Sequence, residues 1–212
     1  KNYDAAKEAD VIIFAVKPQI MQQVVKEISK NIEVKNKLIL SVAAGIKICS
    51  IENWLGQVTA IVRVMPNMPA LIQAGASALY ANSATLDKQK NAAETIMRSV
   101  GVATWLDSEE QMDAVTALSG SGPAYFFYFM ELMESHAIEM GLNKEDAKLL
   151  TIETALGAAK MALLSSFDLK TLRKQVTSTG GTTEKALNIF MEGKLDELVN
   201  NAMDAAKNQS IE

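Results

Sequence analysis

The sequence predicts an α/β region built on a doubly wound parallel sheet, followed by an all-α region. Three observations carry this. Short runs of consecutive apolar residues, Val11–Val16, Leu38–Val42 and Ala60–Met65, alternate with helical periods. Each run is apolar almost throughout, as in strands covered on both faces. Beyond Asp107 the strand signals stop and long helical periods take over. That change divides the chain at 1–107 and 108–212.

Each element follows from local chemistry. Residues 2–9 read as a helix, and Val11–Val16 as the first strand. Lys17-Pro18 ends that strand, and Pro18 suits the first turn of a helix over about 19–30, with Ile20, Val24, Val25 and Ile28 on one face. Leu38–Val42 is the second strand, and Ala43-Ala44-Gly45 a tight turn of small residues. A short helix from about Ser50 ends near Gly56, and Ala60–Met65 is the third strand. Pro66 and Pro69 keep the following segment out of regular helix. Residues 74–80 form another strand, about 87–99 a helix and 102–105 the last strand. The second half reads as helices at about 109–118, 123–140, from an Asn143 cap to about 165, after Asp168, at 183–192 and at 194–208. The first strand comes so early that we expect further strands upstream of Lys1, because a strand covered on both faces is rarely the first of a parallel sheet.

Composition limits the functions. The chain has 212 residues, 49% hydrophobic and 22% charged, with net charge −4, as in an ordinary globular protein. No apolar run reaches membrane-spanning length, so no membrane partner is expected. The acidic balance argues against nucleic acid. One Cys excludes a disulfide framework and fits a reducing compartment such as the cytoplasm. The single His136 has no neighbours at ligand spacing, so no metal site is expected. Cys49 and the 11 Met read as structural.

Two groups of residues can carry chemistry. The first strand delivers Ala15-Val16-Lys17-Pro18 to its carboxyl end, the second Ser41–Gly45 and the third Met65–Asn67. Ligands of open α/β sheets bind at that edge, and small residues leave room for a flat one; simple tight turns are the alternative. The sequence holds no G-x-G-x-x-G. In the second half, Thr177–Thr183 places five hydroxyls around Gly180 and Gly181 just before a helix. Free N–H groups and the positive helix end suit a carboxylate or phosphate; an elaborate helix cap is the alternative. Ser119-Gly120-Ser121-Gly122-Pro123 reads as a helix entry or a site. The helix from Ala124 to Met130 is apolar nearly all round and must be buried on several sides, in a dimer core or a monomeric bundle.

These segments together resemble the pyrroline-5-carboxylate reductase family, in order and over essentially the whole chain. The matching motifs are Ala15–Pro18, Ser41–Gly45, Arg63–Asn67, Asp113–Tyr125 and Val176–Thr183. The resemblance implies a Rossmann-type dinucleotide-binding domain lacking its first strands, then a helical dimerisation and substrate-binding domain. It implies NADPH as hydride donor, with NADH as the alternative, and pyrroline-5-carboxylate and L-proline as ligands. It implies a homodimer that gathers into a larger assembly.

By the same resemblance, Asn2, Ala15, Val16, Lys17, Pro18, Ala43 and Gln175 face the cofactor. The N–H groups of Ser178, Gly180, Gly181 and Thr182 hold the substrate carboxylate, Glu109 lines the proline side, and the Thr183 hydroxyl reaches the ring nitrogen and aids its protonation. Thr179 stands where the family has Pro, and Met68 where it has Thr. An inactive dimerisation fragment of this family and a reductase for another cyclic imine are the competing readings.

Overall fold

The computed structural model describes residues 2–211. A five-stranded sheet, in the order β1 to β5, carries the first half: β1 Val11–Phe14, β2 Leu38–Ser41, β3 Ala60–Met65, β4 Gly75–Ala81 and β5 Gly101–Trp105. The helices that accompany it are α1 Asn2–Glu8, α2 Pro18–Asn31, α3 Ile48–Leu55 and α4 Asp87–Arg98. Pro18 opens α2, where its missing N–H has no intrahelical acceptor to lose.

β1, β2 and β3 are parallel, with Phe14 beside Ser41 and Ser41 beside Arg63. The Rossmann-like pattern holds, but the sheet is mixed. β4 runs antiparallel to β3, and β5 parallel to β4. The reason is the connection: only a 3₁₀ turn, Met68–Ile72, joins β3 to β4. A parallel return would need a longer crossover, which α4 supplies between β4 and β5.

Side chains alternate across the sheet and build two cores. Ile12, Phe14, Ile39 and Ile61 pack with Met21, Val25 and Ile28 of α2 and Ile48, Ile51 and Leu55 of α3. Leu38, Leu40, Val62, Val64 and Leu79 pack on the other face with Ala93 and Met97 of α4. Each fully buried aliphatic side chain contributes about 1.5–3 kcal/mol of transfer free energy. β1 departs from the expectation of cover on both faces: Ile13 is 48% exposed. It points away from the face that α2 and α3 cover, as alternation requires.

The second half is helical: α5 Gln111–Val115, α6 Gly122–Glu139, α7 Lys144–Leu164, α8 Leu169–Gln175, α9 Thr182–Glu192 and α10 Leu195–Ile211. A π-helical turn, Thr116–Gly120, lies between α5 and α6. Asn143 caps α7 by accepting from the Asp146 N–H at 2.9 Å. Asp168 caps α8 by accepting from the Thr171 N–H at 2.7 Å. That hydrogen bond holds the Asp168 carboxyl below its ordinary range.

Contacts separate two compact units. Residues up to Pro123, with the chain end from Met203, form one, and Ala124–Ala202 the other. In the second unit the buried residues are Ala147 and Thr151. Its large apolar side chains are exposed, among them Phe126 at 70%, Phe127 at 52% and Tyr128 at 62%.

Candidate active site

In the first unit, the parallel strands bring the predicted residues to one edge. β1 ends at Phe14, and Ala15 and Lys17 are exposed there with Val16 and Pro18 half-buried. The Val42 N–H donates to the Phe14 carbonyl at 3.1 Å, so the ladder runs to the start of both turns. Ala43 is buried, while Ala44 and Gly45 are exposed. Gly45 takes φ +73°, a left-handed conformation that a side chain would strain. The carboxyl end of β3 supplies Met65, Pro66 and Asn67. Asn2 lies at the start of α1 and borders a separate cleft of about 290 Å³ along β1, with Ile13, Val16 and Val24.

Polar side chains tie this edge together. The Asn67 amide donates to the Ser119 carbonyl at 3.0 Å and accepts from the Ala76 N–H at 2.9 Å. One side chain therefore joins the β3 exit, β4 and the π-helical turn. Glu109 Oε1 accepts from the Ile48 N–H at 2.8 Å and from Arg63 Nη1 at 3.0 Å. Near the chain end, Ser210 donates to the Asp113 carboxylate at 2.9 Å. The Ser210 carbonyl lies 3.6 Å from where a Cβ on Gly45 would stand.

Sequence reasoning did not single out Arg63, Asn67, Asp113 or Ser210 individually for these contacts. A signal for one of them was available: a lone charge inside an otherwise apolar buried strand must find a partner, as Arg63 does.

In the second unit, the loop between α8 and α9 holds Val176 to Gly181. Gln175, Ser178, Gly180, Thr182 and Thr183 are exposed, and Gly181 is half-buried. Gly180 takes φ +73°, the left-handed turn that reverses the chain into α9. Gly181 caps α9 with no side-chain hydrogen bond, so the hydroxyls around it do not serve as a cap. The Thr177 hydroxyl donates backward to the Arg173 carbonyl at 2.6 Å. The amides that open α9 have no intrahelical acceptor and aim their positive end outward. A carboxylate already sits on this loop: the Gly180 N–H donates to Glu184 Oε2 at 2.7 Å. Nearby, an apolar cleft of about 1040 Å³ is lined by Phe129, Phe190, Met191 and Val199, with Arg173 and Lys174 at its margin.

His136 pairs with Glu139 at 2.8 Å, both largely exposed. Among the described residues no group of three or more His, Cys, Asp or Glu is placed to hold a metal ion. No described helix is long and apolar enough to cross a membrane.

The parallel strands β1 to β3 with small-residue turns at their carboxyl ends, followed by an all-helical region, define the class: a Rossmann-like fold with a helical C-terminal part. Comparisons with known proteins agree. Residues 1–45 match the family "NADP oxidoreductase coenzyme F420-dependent" and residues 109–212 the family "Pyrroline-5-carboxylate reductase dimerisation". Pyrroline-5-carboxylate reductase of Pseudomonas aeruginosa is 47% identical over 211 residues, covering 100% of this chain and 77% of that protein. The enzyme of Pisum sativum is 36% identical over 211 residues, with 100% and 76% covered.

Among solved structures, the Coxiella burnetii pyrroline-5-carboxylate reductase superposes with a TM-score of 0.93 at 45% identity, covering 99% of this chain and 78% of that one. A Plasmodium falciparum pyrroline carboxylate reductase solved with NADP bound gives 0.92 at 31% identity, covering 100% and 79%. The chain belongs to the pyrroline-5-carboxylate reductase family.

Proposed function

We propose that this protein reduces 1-pyrroline-5-carboxylate to L-proline with NADPH, the last step of proline biosynthesis. The observation that carries the reading is the uncapped, glycine-turned entry to α9, with its outward N–H groups. Such a helix entry suits a carboxylate, and the chain aligns with reductases over its whole length.

NADPH, when bound, supplies the hydride for the C=N carbon. The protein's part is to bind, orient and protonate. Ala15, Val16, Lys17, Pro18 and Ala43 border the nicotinamide and its ribose, Asn2 faces the adenosine end, and Gln175 lies near the cofactor. Ser178, Gly180, Gly181 and Thr182 hold the substrate carboxylate. The Thr183 hydroxyl reaches the ring nitrogen and serves the proton that nitrogen gains as the carbon gains hydride. Glu109 borders the proline side of the pocket. Residues 1–107 carry the dinucleotide and residues 108–212 the dimer contacts and substrate.

The assembly is a homodimer, and dimers join into a larger ring. Support for the dimer comes from the apolar faces that the helical unit leaves uncovered. In this reading a complete site takes the sheet unit of one copy and the α8–α9 loop of the other.

The test is pyrroline-5-carboxylate-dependent NADPH oxidation at 340 nm, with proline measured as product, using the full-length protein and a Thr183→Ala variant. Turnover that falls about 100-fold in the variant is expected, the usual scale for loss of a proton-transfer group. A folded, oligomeric protein that forms no proline contradicts the reading.

A further inference from the structure

The last turns of α10 lie at the carboxyl edge of the sheet. Residues from Met203 onward belong to the sheet unit, and Ser210 is half-buried there. Its hydroxyl donates to the Asp113 carboxylate at 2.9 Å, 97 residues away in sequence. Asp113 is half-buried in α5, and Met112 beside it is fully buried, so α5 gives the hydroxyl a firm anchor. The Ser210 carbonyl is one of the last four of α10, which have no intrahelical donor. It stands over Gly45, 3.6 Å from where a Cβ there would be. Apart from the chain neighbours of Gly45, no other heavy atom of the described residues comes within 4 Å of that position. Gly45 is the left-handed residue of the turn that follows β2. That turn is fastened at its start, where the Val42 N–H donates to the Phe14 carbonyl, and at its end, where α3 begins at Ile48. The contact with Ser210 falls between these two points, at the tip.

We propose that Ser210 and Asp113 are positioning residues for the dinucleotide. Their hydrogen bond holds the end of α10 against Gly45, and that contact keeps the Ala43–Gly45 turn in the shape that receives the nicotinamide. A turn already in its bound shape loses less freedom when the cofactor arrives, which shows as affinity. Neither side chain touches the cofactor; both act through Gly45. The proposal rests on reading this sheet edge as the nicotinamide end of the reductase site. It adds that the last turn of α10, outside the strands and their own turns, governs cofactor affinity.

The experiment uses the full-length protein with Ser210→Ala, Ser210→Thr, Asp113→Ala and the double variant that combines the two alanines. NADPH affinity is measured without substrate by the fluorescence of the bound dinucleotide, and hydrogen exchange is followed over residues 42–47. Loss of a hydrogen bond to a charged group should weaken NADPH binding about fivefold in either alanine variant. The 42–47 segment should exchange faster in both. Because the two side chains form one contact, the double variant should also lose about fivefold, not the product of about 25-fold. Ser210→Thr keeps the hydroxyl and should bind NADPH within about twofold of the parent. The two Ser210 variants carry the test if Asp113→Ala does not fold.

Unchanged NADPH affinity in Ser210→Ala overturns the proposal, even with faster exchange, and leaves the hydrogen bond a purely structural tether of α10. Losses that multiply to about 25-fold in the double variant also overturn it, because the two residues would then act separately. Failure of the reductase reading looks different: the parent protein would bind NADPH and form no proline, and the affinities of the variants would still decide the positioning role. A parent that binds no NADPH overturns both.

Discussion

The sheet unit and the helical unit treat their apolar residues in opposite ways. Ile39, Leu40, Ile61 and Leu79 are fully buried within the sheet unit. In the helical unit, Leu163 is 83% and Leu164 86% exposed, and Phe129 and Phe190 form a tilted ring pair with 6.2 Å between centroids. α6 and α7 are long and apolar on several sides, yet burial in this unit is confined to Ala147 and Thr151. One half thus completes its core alone. The other carries helices whose apolar faces need a second surface, which is why its stability and its assembly should be one quantity. The difference teaches where mutations will be felt locally and where they will depend on protein concentration.

The largest effect should come from breaking the second half. Phe126→Asp would place a carboxylate on the apolar face of α6. Burying it against a partner costs several kcal/mol, so the dimer should weaken by about 1,000-fold or more. Light scattering after size-exclusion chromatography would show a smaller species, while the sheet unit keeps its far-ultraviolet signature.

A matched pair of substitutions sharpens the contrast. Ile61→Ala should lose about 2–5 kcal/mol at every protein concentration, because its cavity lies within one chain. Leu163→Ala should cost less than about 0.5 kcal/mol in the dissociated chain and more once the protein associates. Urea unfolding at two protein concentrations separates them. Equal concentration dependence for both would break the comparison.

A smaller effect is expected inside the helical unit. Glu184 occupies the Gly180 N–H that the substrate carboxylate would use. Glu184→Gln removes a competing charge and should lower KM for pyrroline-5-carboxylate about threefold, with kcat little changed. A raised KM would show that Glu184 supports the loop instead of guarding it.

Much of this architecture was legible in local pattern. The runs at Val11, Leu38 and Ala60 became β1 to β3, and the Pro18, Asn143 and Asp168 signals mark real helix starts. These depend on neighbours a few residues apart, which a linear reading sees. The reversal of β4 was not legible, because the path of the Met68–Ile72 turn decides it and not the strand's own residues. Likewise, Arg63 meets Glu109 across 46 residues and Ser210 meets Asp113 across 97. Nothing in the spacing of either pair announces the contact. The Ile13 face shows a further limit: six apolar residues in a row suggest cover on both sides, but the run alone does not say what provides it.

In the function proposed above, the helical unit is completed by a second copy, and each site takes its sheet edge and its α8–α9 loop from different chains. Mixing tests it most directly. Ala15→Trp should block the proposed nicotinamide edge, and Thr183→Ala should disable the proposed substrate loop, so each variant alone is nearly inactive. Dissociated, mixed in equal amounts and reassembled, half of the dimers pair the two variants, and each such dimer holds one intact site. Activity should return to about a quarter of the unmodified protein's. Mixed dimers that form in the expected proportion but recover no activity would contradict the account and place each site within a single chain.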